Sequence, residues 1–137
     1  MDASSDDFSS IFWSHALTPQ NVGFLSNPDG YAKAGRECGD YLELCLRLAG
    51  DKITEARFFT EGCMQMVACG SGLTSLLIGR NITEAWNITA QDVANEVGGL
   101  PPKDEHCAQT AEEALRLALA DLNRTQQNPW QKLYRKQ

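Results

Sequence analysis

The sequence predicts an α+β domain, a small antiparallel sheet with helices packed on one face. Two features predict it. The stretch YLELCLRL (41–48) alternates strictly and is followed, across a Gly50-Asp51-Lys52 turn, by a second run fit for a strand over 53–60. After Gly62 the apolar spacing changes to the helical period and keeps it to Leu122.

Taken in order, Phe8, Ile11, Phe12 and Ala16 recur at helical spacing and predict a short first helix. Residues 19–35 are rich in Pro, Gly, Asn and Asp and read as a long loop. In the first strand Leu42, Leu44, Leu46 and Leu48 share the core face, and Tyr41, Glu43, Cys45 and Arg47 the outward one. The short turn makes the two strands a hairpin. Met66, Gly70, Leu73 and Leu77 then form one helical stripe that Gly79 stops. Thr89 with Asp92 resembles a capping box for a helix ending at Gly98-Gly99. Asp104, just after two prolines, is a good N-cap for the last helix. Its stripe is Cys107, Ala111, Ala114, Leu115, Ala118 and Leu122. The expected organisation is one domain over 1–124 and a polar C-terminal tail over 125–137.

A length of 137 residues suits one domain with a real core. The net charge of −6 argues against nucleic acid, which needs a dense basic patch. No apolar run approaches a membrane span, and the acidic start MDASSDDF is the reverse of a signal peptide. The expected location is therefore cytoplasmic. In a reducing compartment the 5 cysteines are poor material for a disulfide framework. The N-x-T sequons at Asn81, Asn87 and Asn123 then read as chance matches.

Three cysteines occupy unusual places. Cys38 precedes Gly39-Asp40 at the entry to the first strand, Cys63 follows Gly62 where strand gives way to helix, and Cys107 follows His106 in the first turn of the last helix. Unsatisfied N–H groups at a helix start stabilise a thiolate, so Cys63 and Cys107 are expected to have lowered pKa values. Thiolates with an imidazole suit iron–sulfur or zinc chemistry, and Asp40 would add a hard, weaker ligand. Singly, each residue has an ordinary alternative: Cys63 and Cys107 as core, Asp40 as a turn residue, His106 as a helix-start side chain. Cys45 reads as outward-facing, Cys69 as packing and His15 as a local hydrogen-bonding group.

Five segments occur in order: NVGFLSNPDG (21–30), CGDYLELCL (38–46), ARFFTEGC (56–63), GGLPPKDEHC (98–107) and AEEALRLAL (111–119). Together they resemble the IscU/NifU N-terminal family of iron–sulfur scaffold proteins, over about residues 8–122. The resemblance implies a three-stranded antiparallel sheet, its third strand drawn from the loop-rich N-terminal region. It implies that Cys38, Asp40, Cys63, His106 and Cys107 converge at one exposed end to hold the metal or cluster. It further implies Cys107 as the persulfide acceptor from a cysteine desulfurase, iron from an iron donor, a transient 2Fe-2S cluster, and transfer to apo iron–sulfur acceptor proteins. Zinc is the alternative occupant on isolation, and pairing as a homodimer is left open. A specialised chaperone would bind Leu100, Pro101, Pro102 and Lys103, although here Lys103-Asp104 stands where the best-known members have Val and Lys. Met64-Gln65-Met66 is bulkier than usual after Cys63, and Cys69-Gly70 falls where the family commonly has serines.

The leading expectation is an assembly platform, not an enzyme. A zinc-bound sulfur acceptor of the SufU type uses the same residues, but the insertion typical of that branch is not seen. A zinc hydrolase would need a base motif such as H-E-x-x-H, which is missing. A Cys–His thiol enzyme is disfavoured, because adjacent helix positions diverge by about 100°.

Overall fold

The computed structural model describes residues 8–35 and 41–128. A first helix, α1 (Ser10–Leu17), is followed by strands β1 (Gly30–Gly35), β2 (Tyr41–Ala49) and β3 (Lys52–Phe59). Helices α2 (Met64–Leu77), α3 (Ile82–Trp86), α4 (Ala90–Glu96) and α5 (Glu105–Gln127) follow, with a 3-10 turn at Pro102–Asp104 before α5. The strands form one antiparallel sheet in the order β1-β2-β3.

Strand β1 corrects the reading of 19–35 as loop throughout. Its inward residues are Gly30, Ala32 and Ala34, all buried but barely hydrophobic, so alternation leaves almost no apolar signature. Small residues are needed because α5 lies directly on them. A Cβ at Gly30 would sit 2.7 Å from the Ala118 carbonyl oxygen and 2.9 Å from the Leu122 Cβ. On β2, Leu42, Leu44 and Leu46 are wholly buried on the helix side as expected. Cys45 is not exposed, in contrast to expectation. It is opposite Tyr31 and Arg57 on the middle strand, and their larger side chains flank its small one.

The Leu face meets Met66, Leu73 and Leu77 of α2 and Ala111, Leu115, Ala118, Leu119 and Leu122 of α5 in one core. Gly70 lets α2 approach β3, since a Cβ there would lie 2.3 Å from the Phe58 ring. Phe12 of α1 packs with Ala68 and Val97 in a smaller cluster, stacked on Phe8 with ring centroids 4.1 Å apart. Ile11, counted in the apolar pattern of α1, faces solvent.

Cap chemistry fixes the helix ends. Ser9 Oγ accepts from Phe12 N at 3.1 Å. The predicted Thr89–Asp92 capping box is present, and a second box, Asn81–Glu84, starts the α3 helix that the sequence reading lacked. Asn81 of the first sequon is thus an N-cap and Asn87 of the second a C-cap. Helix α5 runs through Gln127 with Thr125 buried, so 125–127 belong to it and not to a tail.

The sheet edges have partners. Ile53 N donates to Arg80 O and Ile53 O accepts from Gly79 N, both at 2.8 Å. At the other end of β3, Phe58 N donates to Asn21 O at 2.9 Å and Phe58 O accepts from Gly23 N at 2.8 Å. On the β1 edge, Tyr31 N donates to Asp121 Oδ2 at 2.9 Å. Among the described residues no helix is long and apolar enough to cross a membrane.

Candidate functional site

In the antiparallel sheet the end of β3 lies beside the start of β2, with Glu43 opposite Phe59. Gly35 and Tyr41, also paired, mark the same end of the β1–β2 hairpin. Cys38 and Asp40 fall in the 36–40 segment between them, outside the described residues. Thr60 ties this end together: its Oγ1 donates to the Tyr41 carbonyl and accepts from Gly62 N at 2.9 Å. Tyr41 Oη donates to Glu61 Oε1 at 3.0 Å, and burial followed by that carboxylate raises the phenol's pKa. The turn delivers Cys63 to the N-cap of α2 in extended backbone, exposed, its thiol not used as a cap.

The second component comes from α5. Leu100 is half-buried and packs against both core clusters, while Pro102 and Lys103 are exposed. The Gly98-Gly99 approach needs glycine: φ is +84° and +99°, and a Cβ at Gly98 would lie 2.0 Å from Ser9 Oγ. Cys107 sits in the first turn of α5, wholly buried, with the Cys63 thiol in hydrogen-bonding reach. His106 is exposed, yet its ring bends back: Nδ1 is 3.2 Å from the Lys103 carbonyl oxygen and Nε2 is 3.5 Å from Cys107 Sγ. A carbonyl only accepts, so Nδ1 carries a proton toward Lys103, and Nε2 is the ring nitrogen that faces the thiol. The objection that neighbouring helix positions diverge fails here, because the anchored imidazole spans the gap.

Cys107 departs from expectation in a second way. Burial, then the Cys63 and Cys69 sulfurs and finally the Asp104 carboxylate, hold its thiol well above the usual range. Desolvation outweighs the helix start, and in this form Cys107 is a neutral core thiol. Cys69 is wholly buried as the packing reading requires, and burial with nearby Cys63 and Asp104 pushes its thiol up to about 12. His15 does form a hydrogen bond, though a distant one, with Nδ1 2.7 Å from Ser71 Oγ of α2.

Cys63, His106 and Cys107 therefore share one end of the domain. Two thiols and an imidazole are donors of the kind iron–sulfur clusters and zinc take. Among the described residues, no three His, Cys, Asp or Glu side chains yet form a metal-holding group.

Sequence reasoning gave Asp104 the wrong task. It stands at the N-cap of α5, but φ −108° and ψ 5° are not N-cap geometry and its side chain caps nothing. It is buried to 7% exposure, and Oδ2 has no hydrogen-bond partner. The clamp of Thr60, Tyr41 and Glu61 was also missed. Its signal, a Thr two residues before Gly62-Cys63, is too short to stand out.

Comparison with known proteins adds a family. The NifU-like N terminal domain family matches residues 9–129. The iron–sulfur cluster assembly scaffold protein IscU 1 of Archaeoglobus fulgidus is 35% identical over 115 residues, covering 83% of this chain and 75% of that protein. The scaffold protein IscU of Aquifex aeolicus is 37% identical over 110 residues, 78% of this chain and 70% of that one. In fold, the chain is similar to a protein proposed as the assembly scaffold of the SUF system in Fervidobacterium islandicum. The TM-score is 0.67 at 20% identity, over 85% of this chain and 99% of that one.

Proposed function

Since this chain belongs to the NifU-like N-terminal domain family, we propose that it is an iron–sulfur cluster assembly scaffold. It receives sulfur and iron, builds a transient 2Fe-2S cluster, and passes it to apo-proteins. One observation of this chain carries the reading: exposed Cys63 lies beside Cys107, itself 3.5 Å from His106 Nε2. In a permanent metal site these donors would be locked and enclosed. Here one is exposed, one is protonated and buried, and the third is a surface histidine, which suits a cargo that arrives and leaves.

Sulfur enters as the sulfane atom of a cysteine desulfurase persulfide. Cys107 gives its proton to His106 Nε2, and the thiolate attacks the sulfane sulfur. A new S–S bond forms on Cys107 as the old one breaks, and the desulfurase cysteine leaves as thiolate. Burial of Cys107 requires the first turn of α5 to shift for this step, and the preceding Gly98-Gly99 and Leu100-Pro101 segment supplies a hinge. Cys38, Cys63 and Cys107 then act as thiolate ligands of the cargo, with Asp40 or His106 as fourth ligand. A chaperone that promotes release would use Pro102 and Lys103, since Leu100 is partly engaged in the core. The chain turns over no substrate of its own in this role.

Anaerobic reconstitution with ferrous iron and sulfide tests the reading. Visible charge-transfer bands with equal iron and sulfide, lost on adding chelator, are expected. Tight zinc without iron or sulfide uptake would replace it by the zinc-bound sulfur acceptor.

A further inference from the structure

We propose that Asp104 is a metal ligand of this chain's assembly site, a carboxylate additional to Asp40 that enters when the thiols take up iron. The inference rests on the scaffold reading and deepens it.

A carboxylate that leaves water needs a hydrogen bond or a cation in return. Asp104 has surrendered nine-tenths of its exposure, and its Oδ2 has no partner. The usual occupation of an acidic residue at a helix start, accepting from the first-turn N–H groups, is not taken up, because the backbone is in the wrong conformation. Capping therefore does not explain the burial. The Asp104 carboxylate lies within electrostatic reach of the thiols of both Cys107 and Cys69, and so does Cys63.

Sulfur neighbours do not compensate a carboxylate. Neutral thiols are weak donors, and ionised ones repel it. A metal cation between Asp104 and the Cys63–Cys107 pair would compensate both at once, joining a hard oxygen to soft sulfurs. The Pro102–Asp104 turn joins this carboxylate to the segment carrying His106 and Cys107, so a movement that brings Cys107 out brings Asp104 with it. Iron(II) accepts oxygen and sulfur ligands together, so such a mixed set can hold it.

Cobalt(II) provides the probe, because thiolate ligation gives near-ultraviolet charge-transfer bands while visible d–d bands report the full ligand set. The whole chain, metal-free and anaerobic, is titrated with cobalt(II) alone as wild type and as Asp104→Asn, and each metal-free form is melted. Binding about 10- to 100-fold weaker, with shifted d–d bands and undiminished thiolate absorption per bound cobalt, is expected. The metal-free variant should melt no lower than wild type, because the buried Oδ2 has no hydrogen bond to lose. Equal affinity and identical d–d bands in the two proteins would overturn the proposal while leaving the scaffold reading intact. Wild type without any thiolate charge-transfer band would overturn both. If Asp104→Asn does not fold, Asp104→Ser replaces it in the same titration: weaker binding with shifted d–d bands supports the ligand role, and unchanged binding overturns it.

Discussion

The imidazole of His106 bridges a backbone acceptor and a thiol: Nδ1 lies 3.2 Å from the Lys103 carbonyl oxygen and Nε2 lies 3.5 Å from Cys107 Sγ. The backbone acceptor belongs to the turn just before the helix.

In the proposed function that arrangement lets His106 act as the base for Cys107. His106→Gln should slow persulfide loading of Cys107 about 100-fold near pH 7, with the loss shrinking as pH rises and the thiol ionises unaided. Time-resolved mass spectrometry of Cys107 with a desulfurase and cysteine, run across pH, measures it. Loading at the wild-type rate, or the same loss at every pH, would reject the role.

Buried thiols set the alkaline limit of the fold. The Cys69 thiol, raised to about 12 by burial and its neighbours, stays protonated in the folded chain after its unfolded counterpart has ionised. The unfolded state then binds fewer protons, so stability is full below about pH 8.5 and falls as pH climbs toward 12. Between pH 8 and 10 the loss attributable to Cys69 should be about 2 kcal/mol. Chemical denaturation of wild type and Cys69→Ala over that range checks it. The variant should show a shallower decline, though not a flat one, because Cys107 titrates in the same sense.

Gly30 sets how closely α5 lies on the sheet. Gly30→Ala places a methyl group 2.7 Å from a backbone oxygen that cannot swing aside, and should cost about 1–3 kcal/mol. Gly50→Ala meets open space and costs only the strain of its φ of +66°, so it serves as the control. Urea midpoints of the two variants decide it.

Asp40→Ala should leave the melting temperature nearly unchanged, and should lengthen cluster lifetime and slow transfer to an apo-ferredoxin several-fold, by about an order of magnitude at most. A less stable variant whose cluster leaves at the wild-type rate would assign Asp40 to the turn alone.

Strong patterns made most of the fold legible. The leucine alternation of β2, the stripe of α5 and the Thr89–Asp92 box each repeat one physical rule over enough residues to stand above chance. Strand β1 was hidden because its buried positions are Gly and Ala, chosen for helix clearance and nearly silent in hydrophobicity. Helix α3 is short, and its Asn81–Glu84 box coincides with a sequon that masks the capping signal. At the site, Cys63 and the His106–Cys107 pair were picked out by their neighbours along the chain and by resemblance. The protonated, buried state of Cys107 was not, since it depends on sulfurs from α2 that only folding brings near. Asp104 was misread for the same reason: its sequence position suits a cap, and only backbone angles and burial show that it does not serve as one.

The bonds along the borders of the sheet limit how another chain can dock. At Ile53 and Phe58 the outer side of β3 already has its hydrogen-bonding partners, and Asp121 covers Tyr31 on the far side. An incoming extended segment would have to break those bonds before it could add a strand. Sideways stacking of one copy on another through backbone pairing is thereby discouraged at these positions. An end-on approach stays open, where Cys63 and His106 meet solvent.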